Sequence, residues 1–339
     1  MKNSRKFPPQ WLDGYTIVLL ATVALATVLP VHGRGYELAG TVSKLVVALL
    51  FFLHGVKLSP QNLWLGLTHW RLHLVIISST FVMFPILGLL LKPLMTPVIG
   101  VDLYLGMMFI CILPSTVQSS IAFTSLAGGN VAAAVCAASF SSLLGIFVTP
   151  LLAGLLMNTA GGGISSQAVI DLCRQLLLPF ALGQVMRRRL APLIGRHKAL
   201  VTFVDRLSIV FIVYVAFSHG ANSGLWGQLS LPLFLLLGLV CGILLALALV
   251  LTGWVGRLTG FNRADRIVIL FCGSKKSLAT GVPMANIIFP PGLASVIILP
   301  LMVFHQMQLM ACALIARRLA AETGAGAENA LPEKHTNCF

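Results

Sequence analysis

The chain has 339 residues, of which 58% are hydrophobic and only 9% charged, with a mean hydropathy of +0.95. A soluble domain of this size carries about a quarter charged residues, so the composition excludes one and indicates an all-α polytopic membrane protein whose first partner is the lipid bilayer. The formal charge of +14 is dispersed in short clusters between apolar segments, which argues against a nucleic-acid partner.

A helix that crosses a bilayer needs about 17–25 apolar residues. The pattern predicts ten transmembrane helices, over residues 14–31, 37–56, 72–92, 103–127, 130–156, 168–186, 203–219, 231–256, 264–289 and 293–317. The first run, Tyr15 to Leu29, follows Lys2, Arg5 and Lys6 in the manner of a signal peptide. Its exit, Leu29-Pro-Val-His32, lacks a small-x-small cleavage site, and Ala24-Leu-Ala26 falls inside the run, which favours a retained helix. With the N-terminus inside, seventeen lysines and arginines fall on the cytoplasmic side, against Arg34, Lys92 and Arg174 on the other. The positive-inside rule then places both termini in the cytoplasm, with the protein in a bacterial-type inner membrane. Residues 1–13 form the cytoplasmic N-terminus and 318–339 a disordered cytoplasmic tail.

The fourth span contains Leu113-Pro-Ser-Thr-Val-Gln-Ser-Ser120. Pro114 removes a backbone donor and frees a carbonyl. Ser115, Thr116, Gln118, Ser119 and Ser120 are too many polar side chains for a lipid-facing helix, so this segment faces protein or water. Hydroxyls bonded back to their own helix are the structural alternative. Gly128-Gly-Asn130, followed by Ala132-Ala-Ala134, reads as a tight turn and a close-packed helix, with Asn130 as its cap.

The ninth span holds Cys272-Gly-Ser-Lys-Lys-Ser-Leu-Ala-Thr-Gly281. Charge at membrane depth costs roughly 2.5–3.5 kcal/mol per residue on insertion scales and is kept mainly where it has a task. Gly273, Ser274, Ser277, Thr280, Gly281 and Pro283 can open the helix around Lys275 and Lys276. Successive helical residues diverge by about 100°, so the two lysines share one site only if the helix is broken there. Otherwise one snorkels or pairs with a carbonyl while the other lines the cavity. In the tenth span His305 and Gln308 share a face, suited to an interhelical hydrogen bond or to a solute.

All nine acidic residues fall at span ends, in loops or in the tail. A sodium site would need hydroxyls, amides and carbonyls alone, and a proton relay would lack its usual carboxylate. A lysine ammonium is able to stand in for a coordinating cation or to carry the coupling proton. The seven cysteines lack metal or disulfide spacing and read as free small hydrophobes, so no metal and no cofactor is expected. Metalloprotease, serine-hydrolase and nucleotide-loop signatures are missing, and the chain does not read as an enzyme.

Ten spans divide into five and five, and an odd number per set makes the halves an inverted repeat. The first five-helix set covers 14–156 and the second 168–317. Asp102 with Ser119-Ser-Ile-Ala122 in span four is echoed by Asp265 with Lys276-Ser-Leu-Ala279 in span nine. Paired interrupted segments in corresponding positions mark a transporter's central site.

Pro114 to Ser120, Gly128 to Ala134, Ser142 to Leu152, Gly183 to Arg188, Cys272 to Met284 and the His305 region carry a resemblance over roughly residues 12–318. The chain resembles the bile acid:sodium symporter superfamily, in the SBF-like branch typified by sodium/bile acid cotransporter 7. The resemblance implies a panel domain of helices one, two, six and seven. It also implies a core domain with broken, crossing helices four and nine, and the site between the two. Sodium-coupled members carry a glutamate and glutamine in the ninth helix and an asparagine beside the serine of the fourth. Here Cys272, Ser274, Lys275 and Lys276 stand in the former region, and Ile121 follows Ser120.

The sequence thus reads as a secondary active transporter, a symporter moving a small organic anion by alternating access without the family's usual sodium sites. Its pathway residues are Pro114, Thr116, Gln118, Ser119, Ser120, Ser274, Lys275, Lys276, Ser277, Thr280, His305 and Gln308. Gly128, Gly129, Asn130, Gly273, Gly281 and Pro283 shape the crossing. The rival readings are a regulatory membrane protein that transports nothing, and a sodium-coupled symporter with atypical ligands.

Overall fold

The computed structural model describes residues 14–57, 69–157, 166–222 and 230–328, and among them every regular element is helical. The elements are α1 (Gly14–Val28), α2 (Arg34–Lys57), α3 (Trp70–Ser78), a π-helical turn (Ser79–Met83), α4 (Phe84–Ile112), α5 (Gln118–Leu126) and α6 (Val131–Leu152). A second π-helical turn (Ala153–Met157) precedes α7 (Ser166–Arg196), α8 (Lys198–Asn222), α9 (Leu231–Leu258), α10 (Arg263–Gly273), α11 (Leu278–Ile288) and α12 (Pro291–Glu328).

Among the described residues, six stretches are long and apolar enough to cross a membrane: Gly35–Lys57, Trp70–Ile112, Val131–Met157, Lys198–Asn222, Leu231–Leu258 and Gly292–Glu322. Large apolar side chains such as Leu20, Leu38, Leu90, Leu151, Leu235, Val250 and Leu314 are exposed. Water does not tolerate so much exposed apolar surface, whereas hydrocarbon does. This is an integral membrane protein.

Helix covers most of each expected span, but six stretches among the described residues, not ten, are long and apolar enough to cross. Helix runs on through Pro93 and Pro97, past the expected end of the third span, and the backbone leaves helical geometry at Gly100, whose φ of 80° suits only glycine and which separates the third span from the fourth. The last helix continues to Glu328, into the segment expected as a tail, while 1–13 and 329–339 lie outside the described residues.

Helices α1, α2, α7 and α8 pack together through the pairs α2–α7, α1–α8 and α2–α8. Helix α12 packs on α4, α9, α11 and α8, and α10 lies against α9, α3, α5 and α6. The edge-to-face pairs Phe84–Phe304 and Phe109–Phe289, with centroids 6.5 and 5.5 Å apart, tie α4 to α12 and to the end of α11.

Backbones approach closely at α2 and α7. A Cβ on Gly55 would collide with the Phe180 carbonyl, and one on Gly183 with the Phe52 carbonyl. Small residues permit such contact where no hydrophobic force between helices exists. Lys57 at the end of α2 pairs with Asp205 on α8 and anchors the same corner.

Gly183→Leu is expected to lower the melting temperature of the detergent-solubilised protein, because overpacking costs about 1–3 kcal/mol even where side chains alone must move. Gly195, where an added Cβ would meet nothing within 4 Å, should accept alanine without loss. Fluorescence-detected thermal unfolding compares the two, and equal melting temperatures would refute the close approach.

Candidate functional site

Two helices stop inside the protein. Helix α4 ends at Ile112, residues 113–117 are unwound, and α5 begins at Gln118. Helix α10 ends at Gly273, residues 274–277 are not α-helical, and α11 begins at Leu278. The two breaks touch: the Ser277 amide donates to the Pro114 carbonyl at 2.9 Å.

A helix end leaves its last four carbonyls without intrahelical donors, and a buried one must be supplied from elsewhere. At the end of α4 the carbonyls of residues 110–114 are all supplied. Leu113 N–H donates to Ile110, Thr149 Oγ1 to Ile112 at 2.8 Å, and Ser277 N–H to Pro114. Lys276 supplies the rest. Its ammonium donates to the carbonyls of Cys111 (2.9 Å) and Leu113 (2.8 Å), and to that of Thr80 in the first π-helical turn (2.8 Å). An ammonium has three donors and all three are used. Phe84 covers the group, its ring centroid 4.1 Å from Nζ.

Burying an ion costs several kcal/mol. Three hydrogen bonds from a charged donor, at about 1.5–3 kcal/mol each, offset a cost of that size. A position at a helix C-terminus adds up to about 2 kcal/mol.

The neighbouring lysine sits differently. Lys275 is fully buried, and its ammonium donates to Ser119 Oγ at 2.7 Å and lies 4.1 Å from the centroid of Phe123. Ser119 is the second residue of α5, so this ammonium lies at a helix N-terminus.

Gln308 on α12 holds the lysine backbone. Its Oε1 accepts from Lys276 N–H at 2.9 Å, and its Nε2 donates to the Lys276 carbonyl at 2.8 Å. His305 Nδ1 lies 2.9 Å from the same Nε2. Ser277 caps α11 by accepting from Thr280 N–H, and the two hydroxyls lie 3.0 Å apart. Ser120 Oγ donates to the Phe271 carbonyl at 3.2 Å, tying α5 to the end of α10, and Ser274 bonds back to Leu270 on its own helix.

The structure therefore brings together Pro114, Ser119, Ser120, Lys275, Lys276, Ser277, Thr280, His305 and Gln308. Gln118 is exposed, and the Thr116 hydroxyl is buried without a partner among the described residues, as is that of Ser115. Asn130 caps α6 through Ala133 N–H and donates to Asp265 Oδ1 at 3.0 Å. Gly128 turns at φ 70°, and a Cβ on Gly129 would lie 2.6 Å from Ile267. A Cβ on Gly273 would meet Thr252 at 3.2 Å, and one on Gly281 would meet Leu301 at 2.6 Å. Pro283 lies within α11, past the break.

Sequence reasoning missed Thr80, Ser141 and Thr149. Ser141 Oγ accepts from Ser115 N–H at 3.0 Å. Ser141 and Thr149 lie eight residues apart in an apolar helix, and that spacing puts both hydroxyls on one face. It was the available signal.

The model of the SBF-like CPA transporter family matches residues 13–321. "Uncharacterized protein PA2026" of Pseudomonas aeruginosa is 52% identical over 92% of this chain and 94% of its own length. "Putative symporter YfeH" of Escherichia coli K12 is 48% identical over 92% and 94%. "Sodium/bile acid cotransporter 7" of Danio rerio is 32% identical over 87% and 89%. The chain belongs to the SBF-like CPA transporter family.

Gln308→Leu should destabilise the protein by about 2–6 kcal/mol, since it strands a buried amide and a buried carbonyl of Lys276 at about 1–3 kcal/mol each. Gln308→Glu keeps an acceptor for the amide and should lose less. Thermal unfolding of both variants in detergent measures the difference, and an unchanged Gln308→Leu would deny the latch.

Proposed function

We propose that this member of the SBF-like CPA transporter family is a secondary active transporter that moves a small organic anion by alternating access. Its central site lies where the α4–α5 and α10–α11 breaks meet. The reading rests above all on the Ser277–Pro114 contact between two interrupted helices, with two buried lysines beside it. The start of α5 has no side-chain cap, and lysines with helix N-termini favour negative charge.

In this reading the chain has ten spans in two inverted sets of five, 14–156 and 168–317, with both termini cytoplasmic in a bacterial inner membrane. Span one is α1, span two α2, and spans three and four divide the helix at Gly100. Spans four and nine are the interrupted ones. The mutual packing of α1, α2, α7 and α8 supports a panel that works against the remaining helices as core. A panel–core boundary lets rigid units rock around a fixed site.

Coupling in this reading does not use a sodium site of the family's usual kind. Lys276 fills a cage of three carbonyl oxygens, the ligand type that a hard cation takes. An ammonium 4 Å from a sodium ion would repel it by about 4 kcal/mol at an effective dielectric of 20, roughly a thousandfold in affinity.

Purified protein in liposomes is expected to take up an organic anion equally in sodium and in choline. Lys276→Ala should abolish uptake without creating sodium dependence. Saturable stabilisation of the wild type by sodium at constant ionic strength, absent with choline, would overturn the coupling proposal. A reporter fused after Phe339 should report from the cytoplasm, and a periplasmic signal would overturn the topology.

A further inference from the structure

We infer that the two lysines have divided roles: Lys276 is a structural group held by backbone carbonyls, whereas Lys275 and the N-terminus of α5 form the binding site for a solute carboxylate. The inference rests on the transporter reading and names the group that the solute presents.

Two asymmetries converge on one place. The first lies in the ammonium groups. Lys276 has three backbone carbonyl acceptors and sits at the C-terminus of α4, where the helix dipole favours a cation. Lys275 has one hydroxyl acceptor among the described residues, Ser119 Oγ, and sits at the N-terminus of α5, where the dipole opposes a cation. The ion pairs among the described residues, Lys57–Asp205 and Arg263–Glu322, lie elsewhere. Lys275 thus places a buried positive charge beside the positive end of a helix, and no carboxylate among the described residues is paired with it.

The second asymmetry lies in the two half-helices that start at the breaks. Helix α11 is capped by Ser277, which accepts from Thr280 N–H. Helix α5 has Val117 at its cap position and no side-chain cap. The preceding residue, Thr116, keeps a buried hydroxyl without a partner among the described residues. Amide donors at the start of α5, a spare hydroxyl and an under-partnered ammonium all ask for an acceptor, and an anion meets all three at once. One uncompensated ammonium balances one negative charge, which suits a carboxylate better than a doubly charged phosphate.

The test uses the full chain in phosphatidylcholine liposomes. Reductive dimethylation of lysines is followed by peptide mass spectrometry, with acetate, benzoate or succinate replacing chloride at constant ionic strength. Lys275 is expected to be modified at least about tenfold faster than Lys276, whose three donors are engaged. At least one carboxylate should slow Lys275 several-fold and leave Lys276 and Lys57 unchanged. Val117→Asp puts a carboxylate at the empty cap and should slow Lys275 in chloride while removing the effect of added carboxylates. If that variant does not fold, Ser119→Ala serves, and should speed modification of Lys275 in chloride.

Modification of Lys276 as fast as Lys275, an unreactive Lys275, or indifference of Lys275 to all three carboxylates would overturn the division. The labelling needs no transport. Protection of Lys275 in a protein that moves no solute would remove the transporter reading and leave the site. Uptake with an unreactive Lys275 would remove the site alone.

Discussion

A helix that ends inside a membrane protein has no water to satisfy its last carbonyls, and the structure around α4 is built on that constraint. Lys276 answers it with three donors on one atom, collecting carbonyls from α4, from the segment after it and from the π-helical turn at Thr80. Widening the helix from an i→i−4 to an i→i−5 pattern disturbs the regular ladder, and such turns recur at functional sites. Thr149 on α6 and Ser277 at the second break donate to further carbonyls there, Ser141 on α6 accepts from the Ser115 amide, and Gln308 on α12 donates to the Lys276 carbonyl. The cation is part of the backbone's hydrogen bonding as much as it is a charge.

Electrostatics then separates two residues that the sequence presents as equivalent. Both lysines lie over an aromatic face at the same 4.1 Å, so an attraction of about 2 kcal/mol per desolvated pair does not distinguish them. The helix dipole does, because it changes sign between the end of α4 and the start of α5. Up to about 2 kcal/mol at each end, acting in opposite directions, leaves one lysine settled and the other in need of a counter-charge.

Much of this architecture is written in local sequence signals. Pro114 marks the first break because a proline cannot donate to the helix ladder, and the lysine pair with Gly273 and Ser274 marks the second. Asn130 is legible as a cap from its place before the alanines, and it caps α6. The continuation of helix through Pro93 and Pro97, as far as the kink at Gly100, is not legible. Two prolines ordinarily signal a loop, and whether helix continues past them depends on packing. Pro283 misleads in the same way, since helix α11 runs through it. The partners of Lys276 are out of reach for another reason: backbone carbonyls leave no mark in a sequence, and Thr80 lies 196 residues away. Gln308 and His305 are recognisable as sharing a face, but the backbone of Lys276 as their target required coordinates.

The hydrogen bonds also bear on where motion can occur. Those of Lys276, Gln308, Ser120, Thr149 and Ser115 join the first π-helical turn, α4, α5, α6, α10 and α12 into one network. Those of Tyr214 to Leu29, Asn222 to Val31 and Lys57 to Asp205 join α2, α8 and the turn after α1. Breaking the first network would strand buried carbonyls and a buried ammonium, at about 1–3 kcal/mol for each neutral group and more for the ion. Sliding one apolar helix face over another strands nothing. In the proposed transporter, alternating access would therefore cost least if both breaks travelled together as one body, with the uncompensated ammonium of Lys275 carried along rather than rebuilt on each side of the membrane.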